Sequence, residues 1–414
     1  MSIGSLSDAV DRANGSDPAR PKRDEPARVR RLLALVLGLA VGLALAEAGA
    51  RLLVPASAAD EFLRHVGGRL DDPVLGYRTV AGSGENDARG HRNERALERA
   101  SVVALGDSQT WGVNAEIDES WPALLEERYA KPVYNMGRGG YAVLQYLHQL
   151  DDALRLEPEW IVVAVYFGND LYEAYSVAYE LDAHAARRHP DPVVRGRIES
   201  SDYPDVQRMF FDRIRYQRSS LRPFQWLEQN TALGTMLVRL MRRPADAGAA
   251  RAWAAQHPGE GFVYDGAEIS TVFHSTYRLA AVDTSLERIR EGLRITREAL
   301  LDVAARVARE PGTELLVVLI PTKERIFARA VAVSGTPTPP SFLESVEQEA
   351  LVAGDLTRLM SESGVRHLDL LPALEQAVAR GEAIFPPNAD GHFTAEGYRV
   401  IANEVARRLD GPAP

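Results

Sequence analysis

The chain has 414 residues, of which 45% are hydrophobic and 26% charged, so it is long enough for one large domain or two smaller ones. Its formal net charge of -10 and the lack of any basic stripe interleaved with aromatic residues argue against nucleic acid as a partner. The sequence contains no cysteine, which excludes disulfides, thiolate nucleophiles and cysteine-based zinc sites, so that nucleophilic chemistry falls to an oxygen.

The amino terminus predicts a tail followed by a membrane segment. Residues 1–31 are rich in Ser, Gly, Asp, Pro, Ala and Arg without apolar periodicity, which predicts a disordered cytoplasmic tail. Residues 32–54 are apolar apart from Glu47 and Arg51, and a helix of that length measures about 34 Å, enough to cross a bilayer core of about 30 Å. Because arginines precede it, we expect a single-pass signal-anchor with the rest of the chain outside the cytoplasm. Cleavage as a signal peptide, giving a secreted protein, is the alternative.

Residues 60–414 are predicted to form one α/β domain. After a wrapping segment, valine-rich runs alternate with helical stretches, which predicts right-handed crossovers and a central parallel sheet of about five strands. The strands are predicted at 102–105, 132–136, 160–167, 314–320 and 365–370, and the helices at 121–129, 142–156, 286–309, 342–360 and 394–409.

The alternation breaks down between about residues 171 and 285. Short helical fragments with many arginines predict an inserted, mostly helical cap. Its aromatic and methionine residues indicate internal packing rather than a cofactor site. They are Phe210, Phe211, Phe224, Trp226, Met236 and Met241. No motif in the chain indicates a cofactor or a bound metal, and none indicates an oligomeric state.

Polar clusters follow the first three predicted strands. Ser108 comes after Gly-Asp, a glycine-rich loop spans residues 137–140, and Asn169 follows the third strand; a fourth cluster at 388–392 precedes the last helix. Catalytic groups of parallel sheets gather at the carboxyl ends of the strands. Each residue alone also has a structural explanation, since Ser108 and Asn169 can cap helices and His392 can be a surface histidine.

In this order the blocks resemble the SGNH hydrolase family, also called GDSL esterases, whose four letters match Ser108, Gly140, Asn169 and His392. The resemblance covers roughly residues 70–175 and 310–410 and implies a three-layer, flavodoxin-like fold. An ordinary α/β-hydrolase is disfavoured because the second glycine of a Gly-x-Ser-x-Gly turn is lacking.

The resemblance implies a role for each residue. Ser108 is the expected nucleophile, His392 its base, and Asp390 the carboxylate that orients the imidazole. The backbone N–H groups of Ser108 and Gly140 and the side-chain amide of Asn169 are the expected oxyanion hole. Glycine at 140 is expected to let the backbone approach the substrate closely.

The carboxylate departs from the commoner pattern of the family. Many members carry it three residues before the histidine, where this chain has Ala389, whereas Asp390 lies two before. This spacing is similar to that of SGNH proteins of exopolysaccharide O-acetylation, the alginate type. The stretch 320–327 is similar to the same proteins, and within it Lys323 is a candidate substrate contact, with a salt-bridged structural lysine as the alternative.

We therefore predict an exported serine esterase or O-acyltransferase that acts on acyl esters of carbohydrate, with acetyl as the acyl group, through an acyl-enzyme. Water as the acceptor gives an esterase and a sugar hydroxyl gives a transferase. The alternative is a non-catalytic SGNH-fold module of a cell-envelope assembly that binds glycan or protein. A hydrogen-bonding distance between Ser108 and His392 favours the enzyme over the module.

Overall fold

The computed structural model describes residues 25–53, 69–202, 233 and 247–410. The strands are β1 Arg69–Asp72, β2 Gly76–Thr79, β3 Val102–Leu105, β4 Val133–Asn135, β5 Trp160–Tyr166, β6 Phe262–Asp265, β7 Ser270–Phe273, β8 Glu314–Ile320 and β9 Arg366–Asp369. The helices are α1 Glu25–Leu53, α2 Ser108–Trp111, α3 Trp121–Tyr129, α4 Val143–Leu154, α5 Asp170–Glu180, α6 Pro192–Ser200, α7 Ala247–Gln256, α8 Ser275–Val282, α9 Glu287–Val307, α10 Lys323–Ser334, α11 Pro340–Glu362, α12 Leu371–Ala379 and α13 Ala395–Asp410.

Five strands form a central parallel sheet in the order β4-β3-β5-β8-β9. All of its pairings are parallel, and the register sets Leu105 of β3 beside Val163 of β5, and Val163 beside Val317 of β8. The central strands β3 and β5 are buried along their whole length, as valine-rich runs covered on both faces must be. The predicted parallel sheet is confirmed, and it brings the carboxyl ends of β3 and β5 next to each other.

Helices cover both faces of the sheet, so the domain has three layers. One face packs against α4, α5, α9 and α11, and alternate strand residues such as Val103 and Ile161 belong to that core. The opposite face packs against α3, α10, α12 and α13, with Val102 and Val162 turned toward it. The alternation of side chains along a strand explains why consecutive valines serve two separate cores.

Where the structure describes it, the inserted segment is mostly helical, and it also contains a short hairpin. Its strands β6 and β7 form an antiparallel hairpin, and the rings of Phe262 and Phe273 stack at 4.8 Å and pack into the core on the α10 side of the sheet. Helix α5 joins the opposite core directly. The helical content agrees with the prediction, but the hairpin was not predicted; the side chains of β6 alternate between buried and more exposed positions, as in a half-buried strand. The aromatic and methionine residues expected inside the cap, from Phe210 to Met241, lie outside the described residues.

Residues 32–53 of the expected membrane segment lie in α1, a helix of 29 residues. Among the residues that the structure describes, no helix has both the length and the apolar content needed to cross a membrane. The structure thus does not support the membrane-crossing helix expected from the sequence.

Candidate active site

The turn after β3 presents Ser108 at the first position of the short helix α2. Asp107 caps this helix, because its Oδ1 accepts a hydrogen bond of 2.9 Å from the Gln109 backbone N–H. A Cβ atom at Gly106 would overlap the side chain of Thr110, so that only glycine fits between the strand and the helix. The buried carboxylate of Asp107 also accepts a hydrogen bond of 3.2 Å from Ser108 Oγ.

Arg92 contacts the C-terminal end of α2. Its guanidinium is buried and donates hydrogen bonds to the carbonyl oxygens of Trp111 at 3.0 Å, Gly112 at 3.0 Å and Ala115 at 2.7 Å. It also lies 4.1 Å from the centroid of the Trp111 ring. Carbonyl groups at the end of a helix lack partners within it, so a buried arginine stabilises the turn that carries the serine. Nothing in the sequence near Arg92 indicated this contact.

The structure brings Ser108, His392 and Asp390 together. His392 Nε2 lies 2.9 Å from Ser108 Oγ, and His392 Nδ1 lies 2.7 Å from Asp390 Oδ1. The same carboxylate oxygen accepts a hydrogen bond of 3.0 Å from the His392 backbone N–H. A carboxylate two residues before the histidine therefore reaches its ring by closing a tight local turn.

Asn114 contacts the outer side of this group. Its Nδ2 donates a hydrogen bond of 3.1 Å to Asp390 Oδ2, the carboxylate oxygen that does not face the imidazole. The backbone of Asn114 has a φ of 69°, in the left-handed region that asparagine tolerates better than most residues. No role was predicted for Asn114 from the sequence, in which the run Gly-Val-Asn after Trp111 was the available signal.

Charges around the imidazole strengthen it as a base. Partial burial acts to lower the pKa of His392, but the charge and hydrogen bond of Asp390, together with the charge of Asp107, raise that pKa above its ordinary value. Burial acts to raise the pKa of Asp390, but the nearby imidazolium and the hydrogen bonds from His392 hold that pKa below its usual range. Burial raises the pKa of Asp107. Asp390 is therefore ionised at neutral pH and favours a proton on His392.

The glycine-rich loop lies beside Ser108. A Cβ atom at Gly139 would be 3.8 Å from Ser108 Cβ, and the hydroxyl of Tyr77 fixes the loop by donating a hydrogen bond of 2.6 Å to the Gly139 carbonyl. Gly140 has a φ of 74°, and no atom lies within 4 Å of the position of an added Cβ. The left-handed backbone conformation therefore favours glycine at this position, and the expected close approach of the backbone to the substrate stays a prediction.

Asn169 caps α5 at the end of the neighbouring strand β5. Its backbone carbonyl accepts a hydrogen bond of 2.9 Å from the Glu173 N–H, while its side chain makes no capping hydrogen bond. The Oδ1 atom is buried and has no hydrogen-bond partner among the described residues. The side chain is therefore not needed to cap the helix, which leaves its amide available for a ligand.

Lys323 is a structural residue and does not face the cleft. It is 1% exposed, and its Nζ donates to the carbonyl oxygens of Asn388 at 2.7 Å, Asp390 at 3.2 Å and Val272 at 3.3 Å. Our expectation of a substrate contact is corrected, because a buried ammonium committed to backbone carbonyls supports the loop from behind. The alternative of a salt-bridged structural lysine was closer, although these three hydrogen bonds go to backbone carbonyl oxygens.

Strand β7 supports the same loop. Thr271 Oγ1 donates hydrogen bonds to the carbonyl oxygens of Pro386 at 3.0 Å and Asn388 at 3.2 Å.

Over residues 25–53, 69–202, 233 and 247–410, no group of three or more His, Asp or Glu side chains is arranged to hold a metal ion.

The chain is similar to known proteins. A model of the GDSL-like Lipase/Acylhydrolase family matches residues 104–400. A solved structure of a protein assigned to the G-D-S-L family of lipolytic proteins, from Desulfitobacterium hafniense DCB-2, is similar at 13% sequence identity, with 74% of this chain and 98% of that chain covered and a TM-score of 0.34. A second solved structure is similar at 11% identity, with 76% and 97% covered and a TM-score of 0.30. No curated protein matches the chain. The family match spans most of the chain, from the strand before the serine to the last helix, and the chain therefore belongs to the GDSL-like lipase/acylhydrolase family.

Proposed function

We propose that the chain is a serine esterase or O-acyltransferase that acts on acetyl esters of carbohydrate through an acyl-enzyme. The observation that carries the catalytic part is the continuous hydrogen-bonded path from Asp390 through His392 to Ser108, with distances of 2.7 Å and 2.9 Å. Membership of the family supports the hydrolysis of esters. The carbohydrate, the acetyl group and the choice between water and sugar as acceptor are the parts that we add.

In the proposed reaction Ser108 Oγ attacks the acyl carbonyl while His392 Nε2 takes the hydroxyl proton. The new bond between Oγ and carbon gives a tetrahedral oxyanion. Its collapse breaks the bond to the alcohol, which leaves with the proton from His392. Water or a sugar hydroxyl then attacks the acyl-enzyme, with His392 again as the base, and Ser108 is regenerated.

Three donors are proposed to stabilise the oxyanion, namely the backbone N–H groups of Ser108 and Gly140 and the side-chain amide of Asn169. Their placement on adjacent loops at the carboxyl ends of β3, β4 and β5 supports this role. Donors held in place before the reaction stabilise the charge that develops on the carbonyl oxygen, and each is typically worth about 2.7 to 4 kcal/mol of barrier.

The proposed substrate rests on sequence similarity. The carboxylate two residues before His392 is similar to the arrangement in SGNH proteins of exopolysaccharide O-acetylation. Lys323 no longer supports this substrate by direct contact, since it is buried. The alternative of a non-catalytic binding module is disfavoured, because a binding module does not require Ser108 and His392 within 2.9 Å of each other.

Labelling with a fluorophosphonate tests the nucleophile. We expect the wild-type protein to be labelled and both Ser108→Ala and His392→Ala to lose the label, while Ser200→Ala, which changes an exposed serine at the end of α6, is labelled normally. Equal labelling of the wild type and Ser108→Ala would refute the nucleophile assignment.

Product analysis tests the substrate and the acceptor. We expect the purified domain to release acetate from an O-acetylated oligosaccharide, and addition of an unacetylated oligosaccharide reveals whether acetyl groups are transferred to it. Activity on aliphatic acyl chains together with inactivity on acetylated sugars contradicts the proposed substrate while leaving the nucleophile intact.

The location of the domain outside the cytoplasm is also a proposal. Arginines before the apolar stretch of residues 32–54 support it, as do the exposed side chains of Leu35, Leu37 and Leu39 on α1. An alkaline phosphatase fusion after residue 60 tests it, since phosphatase activity requires export. An inactive fusion that accumulates in the cytoplasm contradicts the proposal.

A further inference from the structure

Arg278 is a buried cation in the inserted segment, on helix α8. It is 8% exposed, and a charge removed from water in this way requires paired groups around it. Its Nε lies 3.4 Å from Glu324 Oε2, and the guanidinium carbon lies 5.7 Å and 5.0 Å from the ring centroids of Tyr166 and Tyr277. Glu324 is buried as well, at 3% exposure, so the ion pair is shielded from solvent.

The guanidinium touches the backbone on both sides of the active site. Its Nη1 donates a hydrogen bond of 3.3 Å to the Gly168 carbonyl, immediately before Asn169. Gly391 lies between Asp390 and His392, and a Cβ atom at this position would overlap Arg278 Nη2. One side chain therefore lies against both the loop of Asn169 and the loop of His392.

Other elements hold the His392 loop at the same point. The Gly391 carbonyl accepts hydrogen bonds of 3.0 Å from Gln109 Nε2 on α2 and of 3.3 Å from the Tyr166 hydroxyl on β5. Gln109 follows Ser108 directly, so this contact ties the nucleophile to the loop. Of these three contacts with Gly391, only that of Arg278 is charged; Lys323 contacts the same loop at the carbonyl oxygen of Asp390.

We propose that Arg278 is a positioning residue that fixes the loop of Asn169 and the loop of His392 at a set separation in the site. The inference rests on the proposed function for its catalytic consequence, but the contact itself does not depend on it. A shift of about 1 Å between reacting groups can cost about 100-fold in rate, so a residue that sets this separation affects kcat without touching the substrate.

The charge of Arg278 has a second effect, on the imidazole. The charged groups around His392 are Asp390 in the same loop, Asp107 at the nucleophile turn and Arg278 on α8; the positive charge of Arg278 acts to lower the pKa of His392. The pairing of Asp390 with His392 is local to the loop, so loss of Arg278 leaves it in place. Removal of the positive charge is therefore expected to raise the pKa of His392.

Two substitutions separate charge from geometry. Arg278→Lys keeps the charge but cannot reach Gly168, Gly391 and Glu324 together, so we expect the pKa of His392 to stay near the wild-type value while kcat falls about 10-fold. Arg278→Met loses both, and we expect a raised pKa of His392 and a loss of kcat of about 100-fold with KM little changed. Because Arg278→Met leaves Glu324 buried without its partner, Arg278→Met/Glu324→Gln is made as well.

The readouts are the NMR titration of His392, assigned from its loss in His392→Ala, and the rate of fluorophosphonate labelling. Arg251→Met is the matched control, because Arg251 lies in the same insertion but pairs with Asp265 at the surface. A double variant that is labelled at the wild-type rate, or an Arg278→Met variant in which His392 titrates as in the wild type, overturns the inference. Failure of the proposed function is a different result, since the wild type would then show no Ser108-dependent labelling while the titration still reports on Arg278.

Discussion

The imidazole of His392 is held by a carboxylate only two residues earlier, with 2.7 Å between His392 Nδ1 and Asp390 Oδ1. Because Asp390 raises the pKa of His392, and the neutral imidazole is the base, activity is lost as the pH falls through a pKa above 6.5. We expect Asp390→Asn to lower the rate about 10,000-fold and to move this acidic limb to lower pH. The pH profile of kcat/KM measures both effects.

Asp182→Asn is the control for this prediction, since Asp182 is fully exposed and pairs with Arg188 rather than with a residue of the site. An Asp390→Asn variant with an unchanged acidic limb is inconsistent with the assignment, whatever the size of its loss in rate.

The side chain of Asn169 is predicted to act on the oxyanion and not on the fold. Asn169→Ala is expected to lower kcat about 100- to 1,000-fold with little change in KM, since the amide contributes mainly in the transition state. Because the side chain makes no capping hydrogen bond, the melting temperature is expected to stay within a few degrees of the wild type. Steady-state kinetics measure kcat and KM, and thermal unfolding measures the melting temperature. A variant with normal kcat would show that Asn169 is not part of the oxyanion hole.

The ammonium of Lys323 is predicted to stabilise the loop and not to bind substrate. Lys323→Met leaves the carbonyl oxygens of Asn388 and Asp390 without this donor, and we expect a loss of about 2 to 4 kcal/mol in the free energy of unfolding. We also expect a fall in kcat at unchanged KM. Denaturant unfolding and steady-state kinetics check these effects.

Lys131→Met serves as the comparison, because Lys131 forms a solvent-exposed pair with Glu159, and pairs of this kind contribute little to stability. If Lys323→Met instead raises KM and leaves the free energy of unfolding unchanged, the lysine contacts substrate after all.

Glu173, one turn into α5, is predicted to make stability fall as the pH rises. Burial, with smaller effects from the charges of Glu180 and Asp107, raises its pKa to about 8. Between about pH 5 and 8 the unfolded chain has released this proton while the folded chain keeps it, so the free energy of unfolding decreases as the pH increases. Glu173→Gln removes this loss, and we expect its stability relative to the wild type to rise by about 3 to 4 kcal/mol between pH 5 and pH 8. Denaturant unfolding at the two pH values decides, and an equal difference at both contradicts the prediction.

The central sheet could be predicted closely because its strands are short apolar runs that must be covered on both faces. Val102–Leu105 and Glu314–Ile320 match the predicted bounds at both ends. The hairpin β6-β7 was missed, although its loop begins with the turn signal Asp265-Gly266, because isolated four-residue strands resemble helical fragments in a segment without clear periodicity. Helix α10 was missed as well, although Thr322 caps it by accepting a hydrogen bond from the Arg325 N–H.

The residues of the site also divide into those that could be predicted from the sequence and those that could not. Ser108, Gly140, Asn169 and His392 could be found because each follows or precedes a regular element in a fixed order. Supporting cations such as Arg92 could not, since the bonds by which they support the site go to backbone carbonyl groups, which no sequence pattern marks. Long-range contacts of this kind depend on how the loops approach each other in three dimensions.

The contacts of β7 limit how this enzyme can be re-engineered. Thr271 donates hydrogen bonds to the loop that precedes His392, and the carbonyl of Val272 accepts one from Lys323. The last part of the insertion therefore supports the catalytic loop. A chimera made to alter specificity by exchanging the insertion with that of a relative should have its downstream junction before Phe262. A chimera whose junction lies after residue 285 would replace the hairpin and Arg278 as well. It would lose the contacts that support the loop of His392.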